Sequence, residues 1–351
     1  MTHHTLIGFL LLTSTAIAAQ DDTTSSTYRD QLASEAMTVA PLAKTELGRA
    51  FLNAADDLSP MTERRTVYFR GADRTAISPE MFTLLGEEDR ADFREMPVTE
   101  SRYYGLYSTP IAYLRALECV GEAGLTNVDG KRIADFGFGN IGQLRMLASL
   151  GADVVGIEID GVHDVIYRMP SDQGAVPRSP DAGKGNEGSV TLVFGRYPTT
   201  EQIRNAVGGD LTLFMSKNTL KKGYIHPERE ADPRQLIDLG VDDQTYVRSV
   251  YDALAPGGWF VIYNLYPKPA APDEPYIPWA SGECPFDREL MTTVGFEIIR
   301  WNEDDSKKAR AMGRALGWNE GLTDEEFAEG FNAMVTIARK PADAASRPSS
   351  N

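Results

Sequence analysis

Residues 131–142, Lys-Arg-Ile-Ala-Asp-Phe-Gly-Phe-Gly-Asn-Ile-Gly, constrain this chain more than any other stretch. An apolar strand runs into Gly137, Gly139 and Gly142, spaced G-x-G-x-x-G, and a helical stretch follows at 143–150. Residues 153–158, Asp-Val-Val-Gly-Ile-Glu, then read as a second strand ending in an acid. This is a βαβ unit with a nucleotide-type loop at its first turn. Gly137 permits the tight turn, Gly139 lets the backbone approach a ligand, and Gly142 is expected to allow close helix–strand packing. Glu158, at the end of the second strand, has the position of an acid that accepts hydrogen bonds from ribose hydroxyls.

Asp135 separates two ligand classes that use such a loop. A dinucleotide places its pyrophosphate over the helix N-terminus, where amides and the helix dipole favour negative charge. A carboxylate two residues before the first glycine disfavours that anion. S-adenosylmethionine has no phosphate; it carries a sulfonium and an ammonium, for which the carboxylate is an asset. The pattern Asp135-x-Gly137-x-Gly139 resembles motif I of the class I S-adenosylmethionine-dependent methyltransferases. The segment at 254–262, Leu-Ala-Pro-Gly-Gly-Trp-Phe-Val-Ile, is similar to the stretch before that family's fifth strand.

The resemblance covers residues 109–340. It implies an α/β fold with a seven-stranded, mostly parallel, doubly wound sheet whose reversed last strand lies beside the fifth. It also implies S-adenosylmethionine as cofactor. Carried over by position, Asp135, Gly137 and Gly139 line the methionine part, with Asn140 and Gly142 in the same loop, and Glu158 binds the ribose. Ser216, Lys217 and Asn218 follow the fourth strand, where family residues face the transferred methyl group. Ser216 is placed with the cofactor contacts, and Lys217 and Asn218 with catalysis. His226 joins them as a base for an acceptor that must lose a proton, with Lys217 the weaker alternative. Asp160 is the next candidate for the role of Glu158. The third strand ends Phe194-Gly195-Arg196-Tyr197 without the acid that meets adenine in many relatives. Tyr197, Asp172 and Gln173 are the possible substitutes. Tyr103 and Tyr104 either cover the sulfonium, by cation–π attraction, or pack the core.

The domains implied are a signal peptide at 1–19, a helical N-terminal extension at 20–108, a Rossmann-like domain at 109–340 and a disordered tail at 341–351. Within the extension, residues 28–58 read as helical and Thr66-Val-Tyr-Phe-Arg-Gly as a short strand or extended piece. Residues 171–188, rich in Gly, Pro, Ser and Asp, read as a long surface loop. Late strands are expected at 296–301 and 333–339, around a helical region at 305–331.

The leader is an apolar run at 6–12 followed by Thr-Ser-Thr-Ala-Ile-Ala-Ala and the polar Gln20-Asp-Asp. That layout is a secretory signal with cleavage near Ala18 or Ala19. It is too short to stay as a membrane span, and the chain is expected to be exported, or cytoplasmic if the segment does not function. With 35 basic and 51 acidic residues the net charge is −16, which argues against a nucleic-acid partner. Only Cys119 and Cys284 are available for redox chemistry, and Cys119 lies in an apolar helical stretch, as a buried free thiol would. Zinc-type spacing is absent from the sequence, so no metal is expected. The acceptor expected is a small molecule or a modified polymer of the cell envelope. Two other functions stay open: an exported, non-catalytic ligand-binding protein on the same fold, and an NAD-dependent oxidoreductase.

Overall fold

The computed structural model describes residues 27–342 other than 62, 72 and 74. The expected leader at 1–19 and, from residue 343, the expected tail lie outside the described residues. The N-terminal extension begins with the helix Tyr28–Val39, opened by a capping box between Thr27 and Asp30. The helix Glu46–Asn53 follows and packs on Leu114–Glu122. Buried Glu118 joins these two helices, accepting from the Lys44 and Thr45 amides at 2.8 and 2.9 Å. The extension is not helices alone. β1 (Arg65–Arg70), β2 (Thr75–Ile77) and β3 (Arg94–Val98) form a small antiparallel sheet in the order β2-β1-β3.

The main sheet contains β4 (Arg132–Phe136), β5 (Asp153–Glu158), β6 (Gly174–Val176), β7 (Gly188–Phe194), β8 (Leu211–Lys217), β9 (Leu254–Tyr266), β10 (Glu297–Asp304) and β11 (Asn332–Arg339). Their order across the sheet is β10-β11-β9-β8-β4-β5-β7-β6. β4, β5, β7, β8 and β9 pair in parallel, while β11 runs antiparallel to both its neighbours. The reversed strand beside β9 is the one the resemblance implies. The strand count differs: there are eight, because the stretch expected as a long loop contributes β6, antiparallel on the edge of β7. The Gln173 side-chain oxygen continues that edge by accepting from the Leu192 amide at 2.8 Å.

Both faces of the sheet are covered, and strand residues alternate between them as the pleat requires. Ile133, Leu213, Met215 and Val261 pack with the N-terminal extension and the helix Gly142–Ser149. Ala134, Phe214, Phe260 and Ile262 pack with the helices Asp243–Ala253 and Arg288–Val294. Each of these side chains larger than alanine contributes roughly 1.5–3 kcal/mol by leaving water. Cys119 lies in the first of these layers and Cys284 in the second. Among the described residues, no helix is long and apolar enough to cross a membrane.

A buried ion pair pins the C-terminal helices to the body. Arg115 donates to Asp305 through Nε at 3.0 Å and Nη2 at 2.8 Å, and the Tyr263 hydroxyl donates to the same carboxylate at 2.9 Å. Both charges are nearly inaccessible, at 2 % and 6 % exposure. Asp305→Ala leaves the guanidinium buried without a counter-charge, so a loss of about 3–5 kcal/mol is expected in urea unfolding. A loss below about 1 kcal/mol, the range of an exposed pair, would contradict this account.

Candidate functional site

β4 is the point where the sheet reverses: the chain passes from it to β5 and β7 on one side and then to β8 on the other. Crevices at such a point, beyond the carboxyl ends of parallel strands, are where open α/β sheets bind ligands. Here the crevice is a cavity of about 810 Å³. Gly137, Gly139, Asn140, Glu158, Asp160, Lys217 and Asn218 all line it.

The loop after β4 owes its course to two left-handed residues, Gly137 (φ +71°) and Gly139 (φ +61°). A Cβ on Gly137 would lie 2.1 Å from Thr219 Oγ1, so the turn is pressed against the segment after β8. A Cβ on Gly139 would meet nothing closer than the Tyr107 ring at 3.5 Å, which leaves this glycine as the open face of the loop. The third glycine differs from expectation. A Cβ on Gly142 would strike the Tyr104 carbonyl at 2.6 Å and Pro110 at 2.7 Å, so it makes room for the N-terminal extension, not for a strand. Gly142 is buried and does not border the cavity.

Glu158 turns back onto this loop. Its Oε2 accepts from the Gly139 amide at 3.4 Å, and Oε1 accepts from the Ile159 and Asp160 amides at 2.8 and 3.2 Å. Asp160 accepts from the Val162 amide, capping the helix Gly161–Ile166, and from the Tyr107 hydroxyl at 2.7 Å. Asn140 uses both ends of its amide to hold the strap at 107–108: Oδ1 accepts from the Tyr107 amide and Nδ2 donates to the Ser108 carbonyl. His163 lies under the loop with Nε2 2.8 Å from the Gly139 carbonyl. A carbonyl only accepts, so Nε2 carries the proton, and Nδ1 is left buried without a partner.

Asp135 sits one layer behind the cavity wall and is fully buried. Its Oδ2 accepts from Gln143 Nε2 at 3.2 Å, and Oδ1 has no hydrogen-bond partner among the described residues. Burial pushes its carboxyl up to about 7, against the opposing pull of Gln143, Tyr113 and Lys217. Lys217 borders the cavity at 8 % exposure, its ammonium 5.1 Å from the centre of the Tyr113 ring. Among the described residues it has no hydrogen-bond acceptor and no ion-pair partner. Burial lowers its pKa to about 8, with the Asp135 charge resisting. Lys221, four residues further on, donates to the carbonyls of Leu265 at 2.5 Å and Trp279 at 3.3 Å. Burial, and then the charge of Lys217, bring it down to about 7.

Several sequence expectations need correction. Ser216 alternates with Lys217 along β8 and turns away from the cavity, where its Oγ accepts from the Leu220 amide. Asn218 borders the cavity, but φ is +67° and its Oδ1 accepts from the Leu265 amide at 2.7 Å, tying the ends of β8 and β9 together. His226 lies outside the cavity. The short helix Lys222–Ile225 carries it to the surface, where Nε2 meets Asp243 at 2.8 Å. Tyr103 and Tyr104 pack the interior, the first donating to Asp172 and the second to the Ser59 carbonyl. Asp172 is committed to Arg65 at 2.7 Å and Gln173 to the sheet edge, so neither reaches the cavity. Tyr197 does border it, its hydroxyl donating to the Ser249 carbonyl at 3.0 Å.

Tyr107, Tyr113, His163, Thr219 and Lys221 are wall residues that sequence reasoning missed. For Lys221 a signal existed: it stands four positions after Lys217, directly beyond a strand end. Asp238, paired with Arg196 at 2.7 Å, is the acid near the end of β7, and it arrives from a segment more than forty residues later.

Reversed β11 beside β9 and the glycine loop at the reversal of order give the chain the fold of the class I S-adenosylmethionine-dependent methyltransferases, with an eighth strand added at one edge. No protein-family model and no curated protein matches the chain. Solved structures do resemble it. The [4+2]-cyclase SpnF is 15% identical over 90% of this chain and 96% of its own, with TM-score 0.37. An S-adenosylmethionine-dependent methyltransferase from Mesorhizobium loti is 19% identical over 65% of this chain and 97% of its own, with TM-score 0.38. A phosphoethanolamine N-methyltransferase of Haemonchus contortus is 14% identical over 71% of this chain and 62% of its own, with TM-score 0.38.

The buried carboxyl of Asp135 gives the protein a pH signature. Folded, it keeps its proton to about pH 7; unfolded, it releases it near 3.8. Its contribution to stability is therefore full below the unfolded value and is lost as pH rises through the folded one. Asp135→Asn removes that loss. The variant is expected to gain on the wild type as pH rises from about 4 to about 7, by at most about 4 kcal/mol. Urea unfolding at both ends of this window measures the gain, and an advantage that shrinks with rising pH refutes the assignment.

Proposed function

We propose that the chain binds S-adenosylmethionine in this cavity and transfers its methyl group to an acceptor held beside Lys217 and Asn218. The observation that carries the reading is the Glu158 carboxylate on the Gly139 amide. The Glu158 carboxylate at this amide repels a pyrophosphate at the same place, and the helix start beyond it is closed by Tyr104 and Pro110. These two facts disfavour the NAD reading on electrostatic and steric grounds together.

The residues present suit the proposed cofactor. When bound, it supplies a methyl group made electrophilic by the sulfonium. Asp135, with one unpartnered oxygen, gives the region behind the loop the acid that an ammonium needs. Glu158 is the ribose acceptor in this reading, and Tyr197, Ile159 and Asp238 bound the part of the cavity left for the base. Transfer between two bound groups depends mainly on alignment and exclusion of water. For an acceptor that must lose a proton, Lys217 is the base favoured, since its lowered pKa leaves part of it neutral near pH 7–8. His226 is set aside because it does not border the cavity.

Isothermal titration tests the reading directly. S-adenosylmethionine and S-adenosylhomocysteine are expected to bind with Kd on the order of 1 μM to 1 mM, and NAD is not. Glu158→Ala is expected to weaken binding about 10- to 100-fold, and His226→Ala to leave it unchanged. No heat from either sulfur ligand with the folded chain would sink the proposal. We propose further that residues 1–19 direct export. Mass spectrometry of the protein from its own cells should then find an N-terminus at Ala19 or Gln20, and an uncleaved start at Met1 refutes it.

A further inference from the structure

The cavity wall also carries apolar residues to which the cofactor reading gives no part. They are Trp279, Leu316, Trp318, Leu322, Phe327 and Phe331. Phe327 and Phe331 stack with ring centres 5.2 Å apart, and Trp318 meets Phe331 edge-on at 5.4 Å. Tyr28, Gln31 and Glu35 also border the cavity, at positions i, i+3 and i+7 on one face of the first helix. Such a lining suits a flat, apolar ligand.

Two donors in this cavity have nothing to donate to. The Lys217 ammonium has no acceptor among the described residues, although its side chain is almost wholly buried. The indole N–H of Trp279 is likewise buried without a partner. Lys221 adds a second buried positive charge, tied to the Trp279 carbonyl. Buried charges and donors are costly unless paired, and an anionic oxygen is the group that pairs the Lys217 ammonium.

We propose that the acceptor is an apolar, ring-bearing molecule with one acidic oxygen, a carboxylate or an ionised hydroxyl, its ring against Trp318, Phe327 and Phe331 and its oxygen on the Lys217 ammonium. The inference rests on the cofactor reading, which assigns the glycine-loop end of the cavity elsewhere. The cofactor's own carboxylate is the other source of the same chemistry, and the test separates the two.

The full chain, with and without S-adenosylhomocysteine, is titrated with 1-naphthoate and with its neutral counterpart 1-naphthylmethanol. Naphthoate is expected to bind at least about tenfold more tightly. Lys217→Met should erase that preference while costing S-adenosylhomocysteine about tenfold less affinity than it costs naphthoate. Trp318→Ala should weaken both probes alike. A wild-type pH series reads the same site without a substitution. The preference should fade from about pH 7 to about pH 9 as Lys217 and Lys221 lose their charge. Asp135 gains charge over the lower part of that window and works in the same direction; the other ionisable groups facing the cavity are the acids Glu35, Glu158, Asp160 and Asp238, the bases His163, Arg196 and Arg234, and the phenols of Tyr28, Tyr107, Tyr113, Tyr197 and Tyr224. Equal binding of the two probes, or binding of neither, overturns the inference. So does an equal loss of both affinities in Lys217→Met, which would give the lysine to the cofactor. Absence of S-adenosylhomocysteine binding with the naphthoate preference intact in the unloaded chain strikes the cofactor reading and spares the anion site.

Discussion

The shape of the cavity depends on how the ends of three parallel strands are tied together. The Gly137 amide donates to the Ile157 carbonyl at 2.8 Å, and the Gly195 amide donates to the Glu158 carbonyl at 2.8 Å. The Glu158 side chain then reaches back to Gly139. Loop, acid and the turn after β7 are thus one hydrogen-bonded assembly. A Cβ at Gly137 would press on Thr219, so the assembly also touches the segment after β8. The glycines therefore do more than allow a turn: they let four strand ends close around one space.

Behind that space lies a short row of buried charge, Asp135, Lys217 and Lys221. In an interior of low dielectric each group shifts toward neutrality; Asp135 and Lys217 restrain each other's shift, while the charge of Lys217 adds to that of Lys221. The acid rises and the two bases fall until all three lie within about a unit of pH 7–8. Ion pairs fixed for stability alone, such as Arg115 with Asp305, are closed by further hydrogen bonds. This row is not closed: among the described residues Asp135 Oδ1 has no hydrogen-bond partner, and the Lys217 ammonium has only the face of the Tyr113 ring. Open valences beside a cavity are what a binding site needs and what a core avoids.

The sequence made the sheet legible because parallel strands buried on both faces give short apolar runs, and the glycine loop locates the first of them. Loop residues Gly137, Gly139 and Glu158 were legible too, since their spacing encodes backbone geometry. Three failures have separate physical causes. Gly142 was read as a strand contact, but the neighbour that excludes a Cβ belongs to the N-terminal extension, whose docking leaves no periodic signal. Ser216 was assigned to the cavity although alternation along β8 sends adjacent residues to opposite faces. His226 was favoured for its chemistry, and a single turn of helix was enough to carry it away. The apolar wall at 316–331 was invisible because aromatic residues such as Trp318, Phe327 and Phe331 look the same in sequence whether they pack a core or line a cavity.

The two cysteines carry a last consequence. Cys119 and Cys284 are buried on opposite faces of the main sheet, and burial pushes both thiols up to about 12. A sheet stands between them, so no disulfide can join them without unfolding the chain. Thiolate is the reactive form, and it is scarce at such values. In the native chain both thiols are thus shielded from disulfide formation, and intermolecular pairing is open only to the unfolded form.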